Sequence, residues 1–111
     1  MRNADFFLRR LMESLEKQTF RDFEIVITDN SDDDMVERIC DWNKTGIRYF
    51  RNPRKGMAQN TNEAIKQSQG ELIKIIYMDD YLAHDRALEK IVHHFRGQWL
   101  VSGCDHIQTD L

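Results

Sequence analysis

Residues 71–80 read Glu-Leu-Ile-Lys-Ile-Ile-Tyr-Met-Asp-Asp, and this stretch decides the class of fold. Its first eight residues are rich in isoleucine and largely apolar, with Gly70 before them and two aspartates after them. A short apolar run with these boundaries is typical of a strand buried on both faces of a parallel sheet. We therefore predict a strand over residues 71–78 that ends at Asp79 and Asp80.

Helix and strand patterns alternate around this stretch. Apolar residues recur at helical spacing in four segments, at residues 5–17, 35–40, 57–68 and 88–95. Short runs rich in β-branched or aromatic residues predict further strands over residues 23–28, 47–50 and 99–107. Strands that alternate with helices indicate βαβ units, so we predict an α/β fold with a mostly parallel sheet and flanking helices. No linker composition interrupts the pattern, and residues 1–111 are interpreted as a single domain.

The composition excludes several classes of protein. A net charge of −3 over 111 residues gives no general attraction to nucleic acid or to an anionic membrane. No stretch approaches the roughly 20 apolar residues of a membrane span, and the first residues lack a signal-peptide pattern. Cys40 and Cys104 have no metal-ligand spacing, which favours reduced thiols. We expect a cytoplasmic protein.

Polar residues follow two of the predicted strands. Asp29 and Asn30 come after residues 23–28, and Asp79 and Asp80 come after residues 71–78. Ligands bind outside the carboxyl ends of the strands in sheets of this type. Two neighbouring carboxylates repel each other by about 3–4 kcal/mol at roughly 4–5 Å, and a divalent cation reverses that repulsion. Taken alone, the pair is compatible with either a metal site or the start of a solvated loop.

Two longer passages carry a resemblance to a known family. Residues 18–29 read Gln-Thr-Phe-Arg-Asp-Phe-Glu-Ile-Val-Ile-Thr-Asp. Residues 56–73 read Gly-Met-Ala-Gln-Asn-Thr-Asn-Glu-Ala-Ile-Lys-Gln-Ser-Gln-Gly-Glu-Leu-Ile. Their order and spacing before the acidic pair resemble the nucleotide-sugar-binding half of family 2 glycosyltransferases, which have the Rossmann-like GT-A fold.

The resemblance implies an activity and a set of site residues. Members transfer a sugar from a nucleotide diphosphate sugar to an acceptor hydroxyl with inversion, and Mg²⁺ or Mn²⁺ bridges the diphosphate. By resemblance, Asp80 binds the metal and Asp79 contacts the ribose or the sugar. Asp29 or Asn30 matches the position that hydrogen-bonds the base, and Lys55 lies in a basic turn suited to the diphosphate. The family often has two aspartates where Asp29 and Asn30 stand, so the choice of base stays open.

The chain departs from the family at both ends. Members begin with a central strand that carries a Val-Ser-Val-Ile-Ile-Pro-Thr-Tyr-Asn type of passage, and they continue into an acceptor half with the catalytic base. We therefore expect a truncated GT-A domain that transfers sugar weakly or not at all, and we nominate no catalytic residue. Unpaired strand edges invite pairing with another chain, which predicts a homodimer.

Two other interpretations compete with nucleotide-sugar binding. One is a non-catalytic α/β remnant that acts as an assembly or partner-binding module. The other rests on residues 77–80, Tyr-Met-Asp-Asp, which spell the active-site tetrapeptide of reverse transcriptases. That motif occupies a hairpin turn, whereas here a helical pattern follows from Asp85. The chain also lacks the length and basic surface of a polymerase.

Overall fold

Helices and strands alternate along the part of the chain that the computed structural model describes, which comprises residues 4–42, 46–52 and 56–95. The elements are α1 (Ala4–Glu16), β1 (Ile25–Asp29), α2 (Met35–Trp42), β2 (Ile47–Arg51), α3 (Met57–Gln67) and α4 (Ala87–His94). The predicted α/β class is confirmed, and each of the four helical patterns corresponds to a helix. The predicted strand at residues 99–107 lies outside the described residues, as does Lys55.

The hydrophobic core lies between α1 and α2. Leu8, Leu11, Met12 and Leu15 are all less than 8% exposed, and their spacing places them on one face of α1. They pack with three residues of α2 and one of α4, namely Val36, Ile39, Cys40 and Leu88. Burial raises the pKa of the Cys40 thiol to about 11, with smaller contributions from nearby carboxylates. Cys40 is therefore a protonated core residue rather than a reactive thiol.

β1 and β2 form a parallel pair whose register runs from Ile25 opposite Ile47 to Asp29 opposite Arg51. Parallel neighbours need a crossover connection, and α2 supplies it. The register brings the last residues of both strands to the same edge of the sheet. This pairing confirms the parallel arrangement that the sequence predicts.

The segment of residues 71–78 does not join this sheet, so the strand predicted there is wrong. Burial alternates as in a strand only over its last four residues: Ile76 and Met78 pack against the core, whereas Ile75 and Tyr77 are almost half exposed. A strand forms only when its backbone groups find partners on a neighbouring strand. Among the described residues, no strand lies beside the segment. Its apolar side chains therefore pack against the core although its backbone belongs to no sheet.

A groove of about 860 Å³ lies between β1 and residues 72–78; we call it the central groove. Apolar residues of α1, α3 and α4 complete its walls, among them Leu11, Ile65 and Ile91. α3 has no buried residue, and Met57 at its start is 70% exposed. The edge of β1 that faces away from β2 has no strand partner among the described residues.

α3 is attached to β1 near both of its ends. The side chains of Thr28 and Asn60 exchange hydrogen bonds with each other's carbonyl oxygens, at 2.9 Å and 3.0 Å. At the other end of the strand, the carboxylate of Glu24 accepts a bond of 2.7 Å from the Gln69 backbone N–H. Glu24 also pairs with Arg48 of β2 at 2.8 Å. These bonds hold α3 in place without a buried apolar face.

Gln18 joins α1 to the loop before α4. The residue is only 3% exposed. Nε2 donates to the carbonyl oxygens of Ser14 and His84 at 3.0 Å and 2.9 Å, and Oε1 accepts from the backbone N–H of Leu88 at 3.0 Å. The Thr19 backbone N–H adds a bond of 2.8 Å to the Asp85 carbonyl. None of the described helices is long and apolar enough to cross a membrane.

We expect Gln18→Met to destabilise the protein by about 1–3 kcal/mol, because the new side chain has a similar size but leaves the buried backbone groups without partners. The free energy of unfolding in urea, followed by circular dichroism, measures this loss. The control is Gln69→Met, since the Gln69 side chain is exposed. Equal unfolding midpoints for the two variants would contradict the role given to Gln18.

Candidate functional site

Asp29 ends β1, and its carboxylate is surrounded by donors from its own chain. Oδ1 accepts from the backbone N–H and the hydroxyl of Ser31, at 2.9 Å and 2.6 Å. Oδ2 accepts from the Tyr49 hydroxyl and lies 3.4 Å from Nη2 of Arg51. Only 4% of the Asp29 side chain is exposed. A carboxylate offers about four lone-pair sites, so these contacts leave little capacity for a ligand.

The surroundings of Asp29 keep it ionised. Burial works to raise the pKa of Asp29, but the hydrogen bonds from Ser31 and Tyr49 and the charge of Arg51 outweigh it and hold the pKa below the ordinary 3.8. Tyr49 shows the opposite effect: burial, followed by its hydrogen bond to Asp29, raises its pKa well above 10.0. Asp29 is therefore a negative charge stabilised by β2 and the loop after β1.

The loop after β1 is held by Arg51 as well. Its guanidinium donates to the carbonyl oxygens of Ser31 and Asp33, at 2.9 Å and 2.8 Å. Asn30 is half-buried within this loop. The backbone N–H of Asn52, just after β2, donates to the Asp29 carbonyl at 2.8 Å. The loop that carries Asn30 is thus fixed against the end of β2.

Asp79 and Asp80 have a different environment from Asp29. Both are exposed, and they lie in a turn that the Asp80 backbone N–H closes with a bond of 2.9 Å to the Tyr77 carbonyl. Nη2 of Arg10 donates to the Asp79 carbonyl oxygen at 3.1 Å. The same guanidinium lies 4.1 Å from the centre of the Tyr81 ring. The two carboxylates are therefore open to a ligand, and a cation from α1 supports their backbone.

Arg10 was not among the predicted site residues. Its Nε atom is buried without a hydrogen-bond partner. Helical spacing puts Arg10 beside Leu11 at the border of the apolar face of α1, which is the only signal in the sequence that singles it out. Its contact with Asp79, 69 residues away, appears only when the chain is folded.

Each acidic group follows directly on a residue of the central groove. Thr28 and Met78, the residues just before Asp29 and Asp79, both line the groove. Among the described residues, no hydrogen bond or ion pair links Asp29 to Asp79 or Asp80. The two acidic groups therefore each follow a residue that lines the groove, and no direct contact joins them.

The side chains at the site determine whether it could bind a metal ion. Among the described residues, no three side chains of the His, Cys, Asp and Glu types lie close enough together to hold one. Asp79 and Asp80 offer two exposed carboxylates at most. Mg²⁺ commonly binds through one or two carboxylates together with waters and substrate phosphates. The residues fit an ion that a phosphate ligand completes, and they do not fit an all-protein cage.

Comparison with known proteins finds a match over nearly the whole chain. The sequence profile of Glycosyl transferase family 2 matches residues 1–108. The GalNAc(5)-diNAcBac-PP-undecaprenol beta-1,3-glucosyltransferase of Campylobacter jejuni is 32% identical over 85 residues, which are 72% of this chain and 28% of that protein. Chondroitin synthase of Escherichia coli is 30% identical over 97 residues, 85% of this chain and 14% of that protein.

A third relative, the poly(ribitol-phosphate) beta-N-acetylglucosaminyltransferase TarS of Staphylococcus aureus, is 29% identical over 86 residues, 72% of this chain and 15% of that protein. The chain thus spans less than a third of the length of each of these three relatives. No solved structure matches with significance.

Tyr49→Phe tests the charge balance around Asp29. We expect it to destabilise the protein by about 1–3 kcal/mol at neutral pH, because it removes a donor from a buried carboxylate. The lowered pKa means that the stabilisation is present above the ordinary value of 3.8 and is lost as the pH falls through the pKa of folded Asp29. The difference from the parent protein should therefore shrink in acid.

Urea unfolding of both proteins over a pH series measures this dependence. Tyr77→Phe is the matched control, because Tyr77 is almost half exposed. A difference between Tyr49→Phe and the parent that stays constant from neutral to acidic pH would show that Tyr49 acts independently of Asp29.

Proposed function

The chain belongs to glycosyl transferase family 2, and on this premise we propose that it binds a nucleotide diphosphate sugar at the turn of Asp79 and Asp80. The observation that carries the proposal is that both aspartates are exposed in a turn whose Asp79 carbonyl oxygen accepts a hydrogen bond from Arg10. Asp80 binds Mg²⁺ or Mn²⁺, and Asp79 accepts a hydrogen bond from the ribose or the sugar. When bound, the ion would neutralise the diphosphate and stabilise the leaving nucleotide.

The coordination number of the ion supports a site at which the metal ion and the nucleotide bind together. Two carboxylates satisfy only part of the shell of Mg²⁺. The diphosphate supplies the missing oxygen ligands, so metal and nucleotide should bind together. Arg10 of α1, and Lys55, which precedes α3 in the sequence, are proposed to balance the negative charge of the phosphates.

Asn30 is the better candidate of its pair for contact with the base. The Asp29 carboxylate is buried and accepts hydrogen bonds from Ser31 and Tyr49. Its role in the proposal is to hold the loop in place. Asn30, half-buried in that loop, carries both a donor and an acceptor, which suits the edge of a nucleotide base.

We propose that this chain binds the nucleotide diphosphate sugar and transfers its sugar weakly or not at all. Activation of an acceptor hydroxyl needs a carboxylate free to accept a proton. The carboxylate of Glu89, in α4, bonds to Arg86 at 3.0 Å and to Thr19 at 3.1 Å. We assign no general base among the described residues.

Asp80→Ala should weaken nucleotide binding in the presence of Mn²⁺ at least tenfold, which is about 1.4 kcal/mol. Isothermal titration calorimetry with UDP, GDP and CDP, each with Mn²⁺, measures the affinity. Mn²⁺ titrated alone should give little heat, because two carboxylates complete less than half of its shell.

Asp85→Asn is the matched control, since Asp85 is exposed but follows the proposed site. Circular dichroism establishes that each variant is folded. If the folded parent protein gives no saturable heat with any nucleotide, binding is excluded; if Asp80→Ala binds as tightly as the parent, the metal role of Asp80 is wrong.

A second candidate function, assembly without catalysis, is favoured by the edge of β1 that has no strand partner among residues 4–42, 46–52 and 56–95. An exposed edge offers backbone donors and acceptors to another chain. The homodimer predicted from the sequence belongs to this alternative. Light scattering over a concentration series tests it: a monomer at every concentration would contradict assembly through the edge, and a dimer without nucleotide binding would favour it.

A further inference from the structure

We infer that Arg10 and Ser14 are positioning residues for the turn of Asp79 and Asp80. Both lie on α1, and they bond to the backbone on either side of Asp80. The inference deepens the proposed function and rests on it, because the position of the turn matters to binding only if the turn binds the nucleotide with its metal ion. It gives Arg10 a role besides its charge, and it adds Ser14, which carries no charge.

Arg10 and Ser14 lie one turn apart on the same face of α1. Nη2 of Arg10 donates to the Asp79 carbonyl oxygen at 3.1 Å. The hydroxyl oxygen of Ser14 accepts a bond of 3.2 Å from the backbone N–H of Leu82. One bond precedes Asp80 along the chain and the other follows it, so the two bonds bracket the proposed metal ligand.

Gln18 continues this row just after the end of α1. Its side chain donates to the His84 carbonyl oxygen at 2.9 Å. The contacts of residues 10, 14 and 18 therefore follow the order 79, 82 and 84 along the partner segment. Three bonds in matching order hold residues 79–84 along the helix rather than at a single point.

The guanidinium of Arg10 is itself held by three aromatic rings. Its central carbon lies 4.1 Å from the centre of the Tyr81 ring, and 5.2 Å and 5.5 Å from those of Phe7 and Phe6. Aromatic rings attract a cation through the negative charge of their faces. Tyr81 is the residue after Asp80, so this contact links the same short segment to α1 a third time.

Contacts through the backbone leave the acidic side chains available. Asp79 and Asp80 are both exposed, although the chain around them is bonded to α1 on both sides. Mg²⁺ demands near-ideal octahedral geometry, and the side chains of a binding site must be held within about 0.5 Å of their working positions. An exposed turn has no packing of its own to achieve this, whereas Arg10 and Ser14 fix its backbone from α1.

Ser14→Ala tests the inference because it removes the acceptor of the Leu82 N–H and changes no charge. Calorimetry with UDP, GDP or CDP and Mn²⁺ should show affinity weakened by about threefold or more, as expected when one hydrogen bond is lost. Ser14→Thr keeps a hydroxyl and should bind like the parent protein. Circular dichroism establishes that each variant is folded.

Ser68→Ala is the matched control. The hydroxyls of Ser14 and Ser68 both donate to a helix carbonyl oxygen, those of Leu11 and Ala64, at 2.7 Å and 2.8 Å. Ser68→Ala removes the same kind of helix bond in α3 and should leave the nucleotide affinity unchanged. An equal loss of affinity in the two alanine variants would assign the effect to helix stability and overturn the inference.

Amide hydrogen exchange measured by NMR separates positioning from general stability. The Leu82 N–H should exchange several-fold faster in Ser14→Ala than in the parent protein, because its acceptor is lost. The amide of Ile39, a buried residue of α2, is the reference for the whole fold. Equal acceleration of both amides, or no acceleration at Leu82, would overturn the inference.

Tyr81→Leu tests the contribution of Arg10 without removing its charge. The variant lacks the ring on which the guanidinium lies, and binding of the nucleotide with Mn²⁺ should weaken by about twofold to fivefold. Tyr81→Phe keeps the ring and should bind like the parent. Because Tyr81 is exposed, this pair tests the inference even if Ser14→Ala does not fold. Equal affinity of the two variants would contradict the role given to Arg10.

The parent protein distinguishes failure of this inference from failure of the proposed function. If the folded parent binds no nucleotide, both are wrong. If the parent binds a nucleotide with Mn²⁺ and Ser14→Ala binds it equally tightly, the proposed function stands and the positioning role of Ser14 is wrong.

Discussion

The need of every strand backbone for hydrogen-bond partners governs this structure. β1 meets that need on one edge, through its parallel pairing with β2. Its other edge faces the central groove, and the apolar segment beyond the groove stays outside the sheet. α1 and α2 can form a core without this segment, because their buried faces complement each other. Within the part of the chain that the structure describes, one edge of β1 is therefore paired and the other borders the groove.

The same asymmetry explains why the two acidic groups differ. Asp29 lies at the paired end of the sheet, where Tyr49 and Arg51 of β2 reach its carboxylate. A charge enclosed in this way stabilises a loop and has few sites left for a ligand. Asp79 and Asp80 lie past the unpaired segment, where their carboxylates stay exposed. The proposed ligand contacts therefore depend on the exposed pair, whose backbone Arg10 contacts at the Asp79 carbonyl oxygen.

Sequence reasoning identified the acidic residues because it needed only their positions relative to apolar runs. It assigned ligand contacts to both members of the first pair, Asp29 and Asn30, without distinguishing them. The distinction comes from the register of β1 with β2, which sets Asp29 opposite Arg51. The sequence did not predict Arg10 as a site residue, because charged residues at the border of a helical face are common. Its partner Asp79 is also 69 residues away.

The sequence by itself determined the features that depend on neighbouring residues: the alternation of helices and strands, the apolar face of α1, the acidic residues after apolar runs, and the family. Only the tertiary structure decided that residues 71–78 remain outside the sheet, that Gln18 is a buried link, and that Asp29 is satisfied by its own chain. The physical reason is the range of the interactions. Periodicity reports which face of an element is apolar, whereas Gln18 bonds to a residue 70 positions away and Tyr49 to one 20 positions away. Such contacts produce no periodic pattern in the sequence. A sequence pattern typical of a strand also does not show whether a partner strand lies beside it.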